Sequence, residues 1–236
     1  MENAKQKWNL KTLFMNYSVY IVLIVLVAYF SFANGDFLST YNVENFLQQI
    51  PPVGILTVAY AMVLICGYVD LSIGYVGMAA GMVGLYTANL GMPAPVVIVI
   101  SLCVGALLGI MNALLIKKFD LPAFILTLGT SYVIKGMLGF FTDEQFIGSD
   151  TEWFNKLAKT PIGTEMIKSN ALIFAIVIII FVFIMNKTRL GKYTYAVGSN
   201  QEAARLSGIN VDLHIVKIFA IEGMLAAIAG LLIVSN

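Results

Sequence analysis

Histidine and cysteine are nearly absent from this chain of 236 residues, which holds one His, at 214, and two Cys, at 66 and 103. That inventory cannot assemble a zinc or iron–sulfur site, so no metal ligand set is expected. Both cysteines stand in apolar stretches far from turns and read as small core hydrophobes, not as a disulfide framework. Charge is scarce as well, at 11% of residues against about 25% in an ordinary soluble domain. The 14 basic and 13 acidic residues leave a net charge of +1, and no basic patch interleaved with aromatics appears, which removes nucleic-acid binding. There is no Gly-x-x-x-x-Gly-Lys-Ser/Thr phosphate loop in the sequence, so it does not hydrolyse ATP in the usual way. No nucleophile with a neighbouring base and no carboxylate pair is legible. The expectation is a chain without catalytic residues or cofactor.

Apolar residues are abundant instead, at 59%, with a mean hydropathy of +0.87. So much apolar surface cannot all be hidden in one soluble core, and a hydrocarbon solvent has to cover the remainder. A membrane-crossing helix needs about 20 mostly apolar residues. The first such run, from about Tyr17 to Ala33, is longer than a signal-peptide core and lacks a small-residue cleavage pattern before Asn34-Gly35-Asp36. Residues 51 to 90 are apolar except at Val69-Asp70-Leu71-Ser72, which predicts two spans joined by a very short turn. Pro51 and Pro52 suit the first helical turn, where a missing N–H is harmless. Further runs extend from about Pro95 to Ile116, Leu121 to Phe141, Ala171 to Met185 and His214 to the end. The expected fold is all-α, a polytopic transmembrane helix bundle of about seven spans.

Lysine and arginine favour cytoplasmic loops. With the N-terminus in the cytoplasm, Lys5, Lys7, Lys11, Lys117, Lys118, Lys187, Arg189, Lys192, Arg205 and Lys217 all fall inside, ten of the fourteen. Lys156, Lys159 and Lys168 fall outside, in a segment that also carries Asp143, Glu144, Asp150, Glu152 and Glu165. Lys135 is near enough to a helix end to snorkel. The expected organisation is one transmembrane domain over 1–236, with 1–16 as a cytoplasmic N-terminal segment, 142–170 as an external loop and 186–213 as a cytoplasmic loop. An odd number of spans puts the C-terminus outside. The chain stops at Val234-Ser235-Asn236 without a polar tail, which reads as a truncated chain.

Small residues four apart let helix backbones meet in lipid. Gly77 and Gly81, Gly105 and Gly109, Gly223 and Ala227, and Ala226 and Gly230 have this spacing; helix packing is the plain reading and a glycine-lined solute path the sharper one. Polar residues inside apolar runs are expensive and normally face protein or water. Asp70, Ser72, Asn112, Thr127, Thr130 and Glu222 are the candidates for a translocation path. Asp70 is read either as a helix cap at the membrane surface or as part of a broken helix pointing into the path. Glu222 is read either as a hydrogen-bonding group between helices or as a contact for a proton or substrate.

The stretch between the last two expected spans contains a short helix. Ser199 followed by Glu202 is a capping box, and Gly208 stands where a left-handed C-terminal cap belongs. Two turns cannot be stable alone, so this helix must pack on the bundle or on another protein.

From Tyr195 to Gly208 the sequence resembles the cytoplasmic coupling segment of the permease subunits of bacterial ABC importers for monosaccharides, the ribose, xylose and galactose type. Gly67-Tyr68-Val69-Asp70-Leu71-Ser72-Ile73-Gly74 resembles that family's Gly-x-x-Asp-Leu-Ser-x-Gly signature. Asn112-Ala113-Leu114-Leu115 resembles its Asn-Gly-x-Leu, with Ala113 in place of the glycine, and Leu121-Pro122-Ala123-Phe124-Ile125-Leu126-Thr127-Leu128-Gly129-Thr130 resembles its Pro-x-Phe-Ile-x-Thr-Leu-Gly-Thr segment. The resemblance implies a permease in the bacterial cytoplasmic membrane that pairs with a second permease copy, a cytoplasmic ATPase and an external sugar-binding protein. It assigns ATPase coupling to Ser199, Asn200, Glu202, Ala203, Ala204, Arg205, Leu206 and Gly208. A nucleoside, an autoinducer-like sugar derivative or an amino acid remains open as the solute. A secondary transporter driven by protons through Glu222 or Asp70 remains open too, whereas a retinal-type protein is disfavoured because Lys217 lies at the edge of its span.

Overall fold

The computed structural model describes residues 10–143, 145 and 147–236, with side chains from Tyr17 onward except those of Thr164 and Glu165. The charges of Lys5, Lys7 and Lys11, with Glu144 and the side chain of Glu165, lie outside this description. Two compact units divide the chain, Met1–Phe46 and Leu47–Asn236.

Helix α1 (Leu10–Ala33) occupies the first unit, which ends in the opening turn of α2 (Thr40–Ile65). The turn between them is tied by its own side chains: Asn34 Oδ1 accepts the Asp36 N–H at 3.1 Å, and Asn42 Nδ2 donates to the Asp36 carbonyl at 2.7 Å.

In the second unit α2 is followed by α3 (Ile73–Asn89), α4 (Ala94–Phe119) and α5 (Ala123–Thr142). A short α6 (Glu152–Lys156), the hairpin β1 (Pro161–Ile162) and β2 (Thr164–Lys168), and α7 (Ser169–Lys187) come next. The chain closes with α8 (Arg189–Ser199), α9 (Gln201–Leu206) and α10 (Val211–Val234). Five helices, α2, α4, α5, α7 and α10, are long and apolar enough to cross a membrane. At 17 residues α3 falls below that length, while α1 has 24 residues, of which the described stretch Tyr17–Ala33 is apolar. Among the described residues, length and composition thus give five spans, and the expected count of about seven is not confirmed.

Pro51 and Pro52 stand inside α2 and not at its start, because the helix begins at Thr40. Pro52 has no N–H to give the Gln48 carbonyl four residues earlier. Asn170 Nδ2, on α7, donates to that carbonyl at 2.9 Å, from a side chain that is buried. The helix tolerates proline there because a neighbour replaces the lost bond.

The centre of the unit is α10 laid against α3 and α4, and its contacts are backbone on backbone. A Cβ placed on Gly105 or Gly223 would run into the other's carbonyl oxygen, and one on Gly109 would meet the carbonyl of Phe219. A Cβ on Gly77 would stand 2.7 Å from the Ala226 carbonyl oxygen, while Gly81 faces Gly230. All four small-residue pairs noted in the sequence serve this packing, which lets dispersion and close approach hold helices that the hydrophobic effect cannot hold in lipid.

At the end of the bundle where α3 stops, residues 147–168 are tied down. Thr151 Oγ1 donates to the Ala88 carbonyl at 3.0 Å and Asn89 Nδ2 to that of Gly148 at 3.1 Å. Phe154 is fully buried among Leu85, Ala88, Val97 and Leu231. The segment is thus an anchored cap and not a wholly solvated loop. Glu152 and Lys156 pair on its exposed face, and the ammonium of Lys156 holds the Glu152 carboxyl below the usual carboxylate range.

Gly105→Val is expected to lower the thermal stability of the detergent-solubilised protein by about 1–3 kcal/mol, the usual penalty of overpacking. Gly136→Val is the control, since nothing lies within 4 Å of its Cβ position; equal melting temperatures for the two variants would contradict the packing described.

Candidate functional site

Helix α2 ends on glycine. Gly67 has φ +90°, its N–H bonds the Leu64 carbonyl at 3.0 Å and the Tyr68 N–H reaches back to Val63 at 3.0 Å, the paired bonds of a Schellman cap. The chain then runs without helix through Asp70 to Ser72 before α3 begins. An unwound stretch inside a bundle must find partners for its backbone groups, and here Leu71 and Ser72 find them in side chains, those for Leu71 from a neighbouring helix.

Asp70 Oδ1 accepts both the Ser72 N–H and the Ser72 hydroxyl, each at 2.6 Å. Asn112 Nδ2, on α4, donates to Ser72 Oγ at 2.8 Å. On α5, Thr127 Oγ1 accepts the Leu71 N–H at 3.0 Å while its own hydroxyl turns to the Ala123 carbonyl at 2.8 Å. One turn later Ser131 Oγ donates to the Leu71 carbonyl at 2.8 Å. Asp70 is 3% exposed and Glu222, on α10, 2%. Of its two sequence readings Asp70 fits the second, a group at a helix break inside the bundle: the N-cap of α3 is Ser72, which has no side-chain cap bond, and Asp70 holds that residue in place. Asn112 lies five residues before Lys117, so the break stands about 7 Å of helix rise inside the level of Lys117.

Glu222 lies with its carboxyl beside that of Asp70. No carboxylate pair was legible in the sequence, yet the fold makes one from residues on different helices. Both oxygens of Glu222, and Oδ1 of Asn112, are buried without a hydrogen-bond partner. The ion pairs among the described residues are Lys117–Asp212, Arg205–Asp212 and Glu152–Lys156, and none reaches the carboxylate pair. Orphaned acceptors of this kind carry the full desolvation penalty of a buried polar group, and they can be satisfied by a hydroxyl-bearing solute, by a proton or by water.

Five of the expected path residues, Asp70, Ser72, Asn112, Thr127 and Glu222, thus form one cluster. Thr130 does not join it. Its hydroxyl donates to its own helix at Leu126, 3.1 Å away, and it lines an open apolar groove with Met111, Gly129 and Val133. Ser131 takes the place that sequence reasoning gave to Thr130. The available signal was its position four residues after Thr127, which puts the two hydroxyls on one face of α5.

The last two helices before α10 form a second feature. Thr188 caps α8, accepting the Gly191 N–H at 3.4 Å. Helix α8 extends through Ser199, so Ser199 is not the N-cap of the next helix; Asn200 is, with Oδ1 accepting the Ala203 N–H at 2.9 Å. The expected capping box is corrected by one residue. At the other end Gly208 has φ +83°, and the Gly208 and Ile209 N–H groups bond the carbonyls of Arg205 and Ala204, the left-handed cap expected from sequence. Ala204 is buried in the core cluster, whereas Glu202, Ala203, Arg205 and Leu206 face outward, Leu206 with 88% of its surface exposed. Helix α9 is therefore anchored on one side by Ala204 and free on the other. It is tied to α10 through Arg205 and Asp212, 3.0 Å apart, and Asp212 also pairs with Lys117 at 2.8 Å.

The family described as "Branched-chain amino acid transport system / permease component" matches residues 42–236. The chain belongs to that family. It is 32% identical to the ribose import permease protein of Haemophilus influenzae, over all of this chain and 74% of that protein. It is 31% identical to the galactose/methyl galactoside import permease protein of Escherichia coli, over 98% of this chain and 74% of the other. With the fructose import permease protein of Rhizobium meliloti it shares 27% identity, over 89% of this chain and 60% of that relative. No solved structure matches it. Family membership and the apolar helices make it a multi-pass inner-membrane permease, a transport component and not an enzyme.

Thr127→Val is expected to destabilise the solubilised protein by about 1–3 kcal/mol, because the Leu71 N–H loses its acceptor. Thr130→Val should leave the melting temperature nearly unchanged. Reversal of this order in thermal unfolding would contradict the assignment of the break to Thr127.

Proposed function

We propose that the chain is the membrane subunit of an ATP-driven importer and forms the path for a monosaccharide. It works as a pair with a second copy, beside a cytoplasmic ATPase and an external sugar-binding protein, and its N-terminus is cytoplasmic. On this reading the single domain has segment 1–16 and the coupling segment 186–213 inside, and segment 142–170 outside. The observation that carries the reading is α9, a two-turn helix held by Ala204 that presents Leu206, Ala203, Glu202 and Arg205 outward. An 88% exposed leucine on a helix too short to stand alone supports α9 as the docking feature. The named relatives import ribose, galactose and fructose, which supports a monosaccharide as the solute.

The mechanism follows from where the helix is fixed. This sequence carries no phosphate loop, so the work comes from a partner. A nucleotide-driven movement of that partner shifts α9 as a rigid piece and with it α8 and α10, to which it is joined. Glu222 rides on α10 and Asp70 on the break, so a small rotation separates or joins the carboxylate pair and opens or closes the path. Hydroxyl groups of a sugar are fitting partners for the unpaired oxygens of Glu222 and Asn112.

Leu206→Asp is expected to abolish co-purification of the ATPase after gentle solubilisation while leaving the yield and melting temperature of the permease unchanged, because the side chain is outside the core. Mass spectrometry of the co-purifying proteins reads the result. Persistence of the complex in this variant would remove α9 as the docking helix. Uptake of radiolabelled ribose, galactose and fructose by ATP-loaded vesicles tests the solute, and uptake of a branched-chain amino acid alone would overturn the sugar assignment.

A further inference from the structure

The turn from α8 to α9 touches the break between α2 and α3 at two points of different character. At Gly198 a Cβ would strike the Ile65 carbonyl oxygen and come within 3.3 Å of Cys66 Cα, so backbone rests on backbone and no side chain can cushion the contact. Three residues on, Gln201 Nε2 donates to the Tyr68 hydroxyl at 3.3 Å. The first contact is a fulcrum and the second a tether.

Tyr68 is placed to pass a pull onward. It follows Gly67, whose left-handed backbone separates it from the end of α2, and it precedes Asp70 by two residues. Its ring meets Phe219 edge-on, 6.1 Å between centroids. Phe219 stands one turn before Glu222 on α10, and its carbonyl is the one that Gly109 abuts, one turn before Asn112 on α4. Lys117 Nζ lies 5.9 Å from the centre of the same ring. The other polar link from α9, Arg205 to Asp212, is about half exposed on both sides and such pairs contribute little. The part-buried Gln201–Tyr68 bond is the more consequential of the two.

We propose that Tyr68 is the positioning residue that carries a displacement of the α8–α9 turn to the Asp70–Ser72–Asn112–Glu222 cluster, with the Gly198–Ile65 contact as pivot and Gln201 as the link. The proposal rests on the reading of α9 as the helix moved by an ATPase. It assigns Tyr68 a role through Asp70 and not in solute contact.

The native Cys66 supplies the readout. It is buried, 1% exposed, at the start of the break. The experiment uses the complex purified with its own ATPase, carrying Cys103→Ser so that Cys66 is the labelled thiol, and measures the rate of maleimide labelling in the nucleotide-free state and after trapping with ATP and vanadate. The expected result is a nucleotide-dependent change in the Cys66 rate that shrinks about fivefold in Tyr68→Phe, the ratio set by one hydrogen bond, although the ring and its contact with Phe219 remain. Gln201→Leu should give the same reduction, and the double variant no more than either alone, the non-additivity of two residues acting through one bond. A wild-type nucleotide response in Tyr68→Phe, or additive losses in the double variant, would overturn the proposal. No nucleotide response at Cys66 in the wild-type complex would overturn this inference, whereas uptake by the same complex that does not depend on ATP would overturn the ATP-driven reading itself.

Discussion

A helix broken inside a membrane bundle must have its freed backbone groups answered by protein, since hydrocarbon offers no partner. Much of the second unit is arranged around that requirement at residues 66–72. Gly67 closes α2, Asp70 and Ser72 open α3, Thr127 and Ser131 take both polar groups of Leu71, and Asn112 completes the set from α4. The same logic recurs where proline interrupts the ladder of α2 and Asn170 answers the Gln48 carbonyl. Against this pattern of satisfied groups, the bare oxygens of Glu222 and Asn112 stand out. They are the places where the bundle leaves acceptors unanswered.

The central helices explain how such a cluster is held firm. Where glycine meets glycine, as at Gly105 and Gly223, two backbones touch and neither helix can approach further. Around these contacts the side chains of Ile215, Phe219, Leu231 and Leu232 on α10 are buried in the core. Helix α10 thus gives the cluster a hard floor against α3 and α4. Its N-terminal end is bound through Asp212 to Lys117 on α4 and Arg205 on α9.

Composition and spacing alone made much of this readable. An apolar, charge-poor chain without cysteine or histidine clusters left few folds and no enzyme chemistry. The small-residue pairs announced helix contacts because only small side chains permit them, and Gly208 announced a left-handed cap because other residues adopt that backbone at a cost. The isolated polar residues were legible for a similar reason: burying them in hydrocarbon without purpose is too unfavourable to persist.

Other features depended on distances that no local pattern carries. Ser199 and Asn200 both suit an N-cap, and Asn200 has the role because α8 runs through Ser199. Thr130 and Ser131 are adjacent hydroxyls, and the phase of α5 against the break selects Ser131. Asp70 and Glu222 became neighbours only when α10 packed back onto α3, and Tyr68 met Gln201 only because Gly198 lets α8 rest on the end of α2. The sequence by itself determined the solvent this protein needs, its helical class and which residues are too costly to be idle. Tertiary structure alone decided which of those residues meet, because pairing between helices far apart in the chain is set by packing geometry and not by any property of the residues' neighbours in sequence.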